Sequence, residues 1–486
     1  MKPLMPFALT VLFACMTVNT AIAAPRPNVL FVVVDDMNTD LGCYGSRVVK
    51  SPNIDRLAAR GVRFDRAYCQ YSLCNPSRTS FLSGRRPETS GVYVLNTTAR
   101  TAMPDAVMLP QLFRQNGYFC AGAGKVHHNA SHREPESWDF YSDGKGEDPG
   151  EIAAIEARYG KGASGTPKSY VLDSDGSKTR DGLNARTINA YLEEHARTGK
   201  PFFLAAGFHK PHLPWTAPRR FFDLYPAGSI PEPPSPPMHN VPQVALQTEL
   251  SGFAPPESRV AAIAGYYACI SFTDANLGIL LDTLDRTNLW ETTVVVFLSD
   301  NGWHLGDHGG LWSKLTIFEN GTRVPLVIAG AGVPHNKVVT HPVELLDIYP
   351  TLVELTGLKA PSGLEGKSLV PSMRSSLPDS GAHAFSMIYH YDTVTGTDIL
   401  GRSVRTAAYR YNEWSNSRRD RELYFTSQPF EDYDNVADRT DTAALQREGQ
   451  QLLGELKQPK PGPAERPRAL INSSKPGKNK KLRQGG

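Results

Sequence analysis

Residues 28–36, "NVLFVVVDD", place six apolar side chains in a row directly before two aspartates. Every position from Val29 to Val34 is apolar, and most of these side chains are β-branched or aromatic. A strand that is apolar on both faces is typical of the buried strands in a parallel α/β sheet. The run ends abruptly at Asp35 and Asp36. It therefore predicts a central strand that carries two carboxylates at its carboxyl end.

Three further apolar runs end in polar side chains. They are "TTVVVFLSDN" (292–301), "GYFCAGAGKVHH" (117–128) and "PFFLAAGFHKPH" (201–212). In open α/β sheets, ligands bind in the crevice beyond the carboxyl ends of the strands. The four runs therefore predict one shared site.

Amphipathic helical segments lie between these runs, for example after Ser51-Pro52 and in residues 183–196 and 266–287. Alternation of strands and helices over roughly 350 residues predicts an α/β fold with a mainly parallel sheet and helices on both faces. Beyond residue 376, short alternating segments predict a small C-terminal α+β subdomain with an antiparallel sheet. We expect a main domain at 24–375, this subdomain at 376–455 and a basic tail at 456–486.

The chain of 486 residues begins with Lys2, an apolar run and Ala21-Ile22-Ala23, which is the pattern of a signal peptide cleaved after Ala23. We expect a periplasmic or secreted protein. No other apolar run approaches the roughly 18–20 residues that span a membrane. The tail from residue 456 carries a net charge of +8 and is interpreted as a disordered, solvated extension, so no nucleic-acid partner is expected.

Cysteines are expected to pair outside the cytosol. Cleavage would leave an odd number, five: Cys43, Cys69, Cys74, Cys120 and Cys269. At least one cysteine must therefore be unpaired or chemically altered.

Asp35, Asp36, Asp300 and Asn301 offer only oxygen ligands, which suit Ca²⁺ or Mg²⁺ better than zinc. An alternative is that each pair caps the helix or turn that follows it. Two such pairs, each directly after a buried strand, favour the metal site.

The segment "CNPSR" (74–78), followed by Gly84-Arg85, resembles the signature of the type I, formylglycine-dependent sulfatases. The segments "GKVHH", "KPHLP" and "SDNG" and then Lys314 follow in the order found in that family. Within the family, "SPNIDRLA" and "DNGWHLGDHG" are most similar to the iduronate-2-sulfatase group. The chain departs from that group at Asn301, where the group has histidine, and by one residue inserted before Lys314. The resemblance implies an alkaline-phosphatase-like fold.

The resemblance also implies that a formylglycine-generating maturation enzyme oxidises Cys74 to an aldehyde. One hydroxyl of the hydrated aldehyde would attack the sulfur and expel the alcohol, and the second would then lose its proton to release sulfate. The resemblance implies that calcium is the metal, with magnesium as the alternative. The implied metal ligands are Asp35, Asp36, residue 74, Asp300 and Asn301.

The same resemblance assigns roles to further residues. Arg78 would orient the diol, Lys125 and Lys314 would hold sulfate oxygens, and His212 would protonate the leaving alcohol. His128 would take the diol proton, with His127 as the alternative. Pro76 suits the first turn of a helix, which would place residue 74 at an anion-binding helix N-terminus.

These implications predict an exported hydrolase of sulfate esters on a saccharide, with uronic acid 2-O-sulfate as the implied substrate. A phosphate or phosphonate monoester hydrolase of the same superfamily is one alternative. The other is a non-catalytic binder of sulfated glycans whose cysteine is never converted.

Overall fold

The computed structural model describes residues 26–143, 169–226, 228–246, 256–392, 396–427 and 431–460. The predicted signal peptide and the predicted tail beyond residue 460 lie outside the described residues. The strands are β1 Asn28–Asp35, β2 Gly61–Phe64, β3 Ala67–Tyr68, β4 Phe119–Gly124, β5 Phe140–Ser142, β6 Ser169–Leu172, β7 Phe202–Pro211, β8 Trp215–Pro218, β9 Thr293–Ser299, β10 His304–Leu305, β11 Trp312–Ser313, β12 Arg323–Val324, β13 Leu326–Gly330, β14 Lys337–Val339, β15 Val343–Glu344, β16 His383–Asp392, β17 Thr397–Thr406, β18 Tyr409–Trp414 and β19 Arg421–Phe425.

The main sheet has eight strands in the order β14-β2-β13-β9-β1-β7-β4-β5. The four strands predicted from the apolar runs, β9, β1, β7 and β4, are neighbours and run parallel. Strand β13 alone in this sheet runs opposite to β1, because it pairs antiparallel with both β9 and β2. The prediction of a mainly parallel sheet is therefore confirmed, and the carboxyl ends of the four strands meet at one edge.

The helices of the described residues are α1 Pro52–Ala59, α2 Cys74–Ser83, α3 Pro87–Ser90, α4 Ala99–Ala102, α5 Leu109–Gln115, α6 Arg180–Thr198, α7 Arg219–Phe222, α8 Pro256–Thr287, α9 Glu319–Thr322, α10 Ile348–Thr356, α11 Val370–Arg374 and α12 Ala443–Gly454. Alternate residues of β1 face opposite sides of the sheet. Leu30 and Val32 belong to a core shared with α1, α6 and α8, and Val29 and Phe31 to a core shared with α2, α5 and α10. Helices thus cover both faces, as predicted.

Strands β16 to β19 form a separate antiparallel sheet, which confirms the predicted C-terminal subdomain fold. Helix α12 packs on it through Leu453. The sheet joins the segment before Cys74, since Met387 N donates to Gln70 O at 2.9 Å. The exact boundaries of the predicted domains stay predictions. Among the described helices, none combines the length and the apolar composition needed to cross a bilayer.

Candidate active site

Residue 74 lies at the N-terminus of a buried helix. Helix α2 begins at Cys74, and Pro76 occupies its third position, where a missing N–H leaves no helical hydrogen bond unmade. Cys74 is 2% exposed, and every residue of α2 is buried. The predicted placement of residue 74 at a helix start is what the structure shows.

Three carboxylates converge on this helix start because β1 and β9 are neighbours. Asp35 ends β1, and Asp36 follows with a positive φ of 62°, which aspartate tolerates better than most residues. The Asp36 N–H donates to Asp300 Oδ1 at 3.1 Å, and the Asp36 carbonyl accepts from the Tyr266 hydroxyl at 2.7 Å. These two bonds hold the turn that brings Asp36 towards Asp300.

The donor set fits a hard divalent cation. Ligand atoms of Asp35, Asp36, Cys74 and Asp300 all lie within 4.8 Å of one another. Asp36 Oδ2 and Asn301 Oδ1 are buried and have no hydrogen-bond partner among the described residues. Burial raises the pKa of Asp36, and burial together with the neighbouring aspartates raises that of Asp300 to about 7. A cation would satisfy the two lone oxygens and relieve this repulsion.

Two buried lysines flank residue 74. Lys314 Nζ lies 2.9 Å from Cys74 Sγ and contacts Asp36, and Lys125 Nζ lies 3.8 Å from Sγ and contacts Asp35. Burial opposes the charged form of both ammonium groups, but the neighbouring aspartates, Asp35 for Lys125 and Asp36 for Lys314, outweigh it and raise both pKa values. Both lysines therefore remain cationic beside residue 74, as an anion-binding site requires.

Arg78 holds the carboxylates. Its Nε donates to Asp300 Oδ2 at 2.8 Å, its Nη2 donates to Asp35 Oδ1 at 3.3 Å, and its Nη1 donates to the Lys125 carbonyl. The side chain is 1% exposed. Arg78 thus bridges the ends of β1, β4 and β9, and it reaches residue 74 through Asp35.

His212 lies at the open side of this cluster. Its Nε2 is 3.7 Å from Asp36 Oδ2, and its Nδ1 donates to the Leu213 carbonyl at 2.5 Å. Burial, reinforced by Lys125 and Lys314, lowers the pKa of His212 to about 3. The backbone bond fixes the tautomer, so Nε2 is the nitrogen that faces the carboxylates.

The two histidines after Lys125 have different environments. His127 Nε2 accepts a hydrogen bond from Trp138 Nε1 at 3.1 Å, which occupies that nitrogen inside the core. His128 Nδ1 is buried without a partner among the described residues, and burial together with Lys125 lowers its pKa to about 3. No hydrogen bond joins His128 to residue 74 in the described part of the chain, although both it and Arg78 line the same small cavity. The environment favours His128 over His127 for proton transfer, and the role stays a prediction.

All five cysteines that were predicted to remain after cleavage are free thiols. Only Cys74 lies among the clustered carboxylates. Burial and the adjacent Asp35 raise the pKa of its thiol, so the unmodified side chain stays protonated at neutral pH. An unmodified Cys74 is therefore a poor nucleophile.

Several supporting residues were not found from the sequence. Tyr266 lies within the apolar pattern of a long helix, and nothing in that pattern indicates that its hydroxyl holds the Asp36 turn. Asp181, at the start of α6, accepts from the N–H groups of His209 and Lys210, which precede His212. Both residues act on partners that are distant in the sequence, so no local sequence pattern indicates these contacts.

Comparisons with known proteins agree with this geometry. The family model described as Sulfatase matches residues 27–358, and the model described as N-sulphoglucosamine sulphohydrolase, C-terminal, matches residues 306–459. A sulfatase of Formosa agariphila is 34% identical over 439 residues, covering 85% of this chain and 82% of that protein. The iduronate 2-sulfatase of Homo sapiens is 31% identical over 508 residues, covering 85% of this chain and 91% of that protein.

A solved structure in complex with its substrate D-glucosamine-2-N,6-O-disulfate has a TM-score of 0.73 at 22% identity. The match covers 88% of this chain and 97% of that chain, and it bears on the fold alone. It agrees with the predicted alkaline-phosphatase-like fold. The family match spans the four strand ends, Cys74 and both lysines. The chain therefore belongs to the sulfatase family and is a sulfuric ester hydrolase.

Proposed function

We propose that this sulfatase removes 2-O-sulfate groups from uronic acid residues of a saccharide, using formylglycine formed from Cys74. One observation carries the proposal of a modified residue 74: the Cys74 side chain lies between two lysine ammonium groups and three aspartates at a helix N-terminus. The uronic acid substrate is supported by the 31% identity to iduronate 2-sulfatase over most of both chains.

Asp35, Asp36, Asp300, Asn301 and residue 74 would hold the metal, with calcium preferred and magnesium as the alternative. A bound divalent cation lowers the pKa of a coordinated hydroxyl and neutralises negative charge on the sulfate. The aldehyde made from Cys74 would supply a geminal diol, whose second hydroxyl allows sulfate to leave without attack by water.

Lys125 and Lys314 bind sulfate oxygens in this proposal. Both are buried, charged and already within 4 Å of the residue 74 side chain, so little reorganisation is needed when charge develops in the transition state. The loss of one such donor typically lowers kcat by about 10²–10³.

His212 donates the proton to the leaving alcohol from Nε2, because Nδ1 is bonded to the Leu213 carbonyl. An anionic substrate beside Nε2 adds negative charge and favours the protonated imidazole needed for this step. His128 accepts the diol proton at Nδ1, the atom that is buried without a partner among the described residues. Its pKa of about 3 keeps it in the neutral form that a base requires.

We further propose that the protein is exported to the periplasm or secreted, with cleavage after Ala23. The maturation enzyme would then act on Cys74 during or before export. Mass spectrometry of the peptide around residue 74, from exported protein, should show the aldehyde. Active protein that carries only thiol would refute the proposed nucleophile.

A desulfation screen tests the substrate. The protein is co-expressed with a formylglycine-generating enzyme, and kcat/KM is measured on a 2-O-sulfated uronate, a 6-O-sulfated hexosamine, a phosphate monoester and a phosphonate monoester. Cys74→Ala is the matched inactive control. We expect the sulfated uronate to be the best substrate. A higher value on the hexosamine would refute the uronate assignment, and a higher value on phosphate or phosphonate would refute sulfate esters as the main substrates.

A further inference from the structure

A cavity of about 90 Å³ lies beside His212, outside the carboxylate cluster. It is formed by the start of α6, the end of β7 and the loop that follows. Its polar lining consists of Thr179, Arg180, Asp181, His209, Lys210 and His212, together with Thr216. Because His212 forms part of the wall, the cavity adjoins the place where the leaving alcohol must lie.

The lining is rich in donors. Arg180 Nη1 donates to His209 Nε2 at 3.2 Å, and Lys210 Nζ donates to the Pro214 carbonyl at 2.7 Å. Thr216 is 2% exposed, and its hydroxyl has no hydrogen-bond partner among the described residues. An unpaired buried hydroxyl is unfavourable, so a ligand that accepts from it would be stabilised.

The Asp181 carboxylate of the lining is already hydrogen-bonded within the protein. Its carboxylate accepts two bonds from the His209 N–H, at 2.9 and 3.1 Å, and one from the Lys210 N–H at 2.9 Å. It is 2% exposed. These bonds stabilise the Asp181 carboxylate through the backbone, and Arg180 and Lys210 are the two cationic side chains of the lining.

We infer that this cavity binds a second anionic group of the sulfated sugar, with Arg180 as the residue that selects it. The inference rests on the proposed function, because it requires the leaving alcohol to lie at His212. The group is a carboxylate or a second sulfate. Each of these anions presents two oxygens that can accept two parallel hydrogen bonds from one guanidinium. For a uronic acid, the group is the ring carboxylate.

Such a pocket gives strong selectivity. A site built to hydrogen-bond a polar substrate group discriminates against an analogue that lacks the group, because the buried donors are then left unpaired. Neutral sugar sulfates should therefore be cleaved less efficiently than acidic ones. A charge-assisted bond of the usual strength corresponds to a preference of about 10- to 150-fold.

The test compares Arg180→Gln, Arg180→Lys and Arg186→Gln in the matured full chain. Arg186 is the matched control: it lies on the same helix, is exposed, and donates only to the Ser177 and Gly182 carbonyls in the described contacts. The substrates are a 2-O-sulfated uronate, its methyl ester, a neutral hexoside 2-sulfate and the same hexoside with a second sulfate. The readout is the ratio of kcat/KM on each acidic substrate to that on its neutral counterpart.

We expect Arg180→Gln to lower this ratio by about 10- to 150-fold, Arg180→Lys to restore part of it, and Arg186→Gln to leave it at the wild-type value. If Arg180→Gln lowers the ratio for the uronate and its methyl ester, the bound group is a carboxylate. If it lowers the ratio for the disulfated and monosulfated hexosides (the disulfated pair), the bound group is a sulfate. If Arg180→Gln changes the ratio for neither pair, the inference is overturned.

A binding measurement separates this inference from the proposed function. Calorimetry measures the binding of free glucuronate, which is the probe, and this measurement does not require the protein to cleave any substrate. Weaker binding to Arg180→Gln than to Arg186→Gln supports the cavity even if no sulfate ester is cleaved, in which case only the proposed function fails. Equal binding of glucuronate to the two variants, together with an unchanged kcat/KM ratio for the disulfated pair, overturns the inference even if the uronate sulfate is cleaved.

Discussion

His390 should make the stability of this protein sensitive to mild acid. The residue lies in β16, is 1% exposed, and stacks on Trp414 with ring centroids 5.9 Å apart. Neither ring nitrogen has a hydrogen-bond partner in the described part of the chain. Burial lowers the pKa of His390 from the ordinary 6.5 to about 4.

The sign follows from which state binds the proton. Between pH 6.5 and 4 the unfolded chain protonates this histidine and the folded protein does not, so falling pH favours unfolding. The contribution of the neutral His390 to the free energy of unfolding is fully present above pH 6.5 and is lost progressively towards pH 4. At 1.36 kcal/mol per pH unit, the full loss is about 3.4 kcal/mol, of which about 2 kcal/mol is lost by pH 5.

The substitution His390→Phe keeps an aromatic ring against Trp414 and removes the titrating imidazole. Free energies of unfolding are measured in urea at pH 7.5 and 5.0 for wild type, His390→Phe and the control His383→Phe, on the same strand. We expect wild type and the control to lose about 2 kcal/mol more than His390→Phe between the two pH values. Equal losses in wild type and His390→Phe would contradict this assignment, because these two proteins differ in no other titrating group.

Three further predictions concern the site. Cys74→Ala should abolish turnover of sulfate esters while calcium still binds in calorimetry, since the aspartates and Asn301 remain; retained turnover would contradict a nucleophile at residue 74. Arg78→Ala should lower the free energy of unfolding by about 3–5 kcal/mol in denaturant titrations, because it leaves Asp35 and Asp300 buried without the Arg78 guanidinium. A loss below about 1 kcal/mol would mean that the two ion pairs do not hold the strand ends together. His212→Asn should lower kcat for an alkyl sulfate by a factor of about 10²–10⁴. The effect on a nitrophenyl sulfate should be much smaller, because nitrophenolate is a good leaving group that needs no proton. An equal decrease for both substrates would exclude His212 as the acid.

Much of the fold was predictable because burial on both faces leaves a clear mark in the sequence. The run from Val29 to Val34 and the runs that form β4, β7 and β9 predicted buried strands of a mainly parallel sheet with a shared site at their ends, and the structure shows that these strands are neighbours. The reversed direction of β13 was not predictable, since an apolar strand looks the same in either direction. It follows from pairing with β2 and β9, which is a long-range contact.

The site was predictable to the extent that its residues follow strand ends or belong to a recognisable signature. The structure brings Asp35, Asp36, Cys74 and Asp300 together, with both lysines against them. The cavity at Arg180 was not predictable, because it joins a helix start to a loop across a separation of about thirty residues, and neither segment carries a pattern that indicates the other.

The burial of Cys74 also has a consequence for timing. A side chain that is 2% exposed, at the start of a helix that is buried throughout, cannot enter the active site of another enzyme while the protein is folded. In the proposed function, the conversion of Cys74 would therefore compete with folding, and the ratio of the two rates would decide what fraction of molecules is active. Because the pairing partners of β1 include β9, which lies more than 250 residues further along the chain, the sheet cannot close until most of the chain has been synthesised. That delay gives the nascent chain an interval in which Cys74 is still accessible.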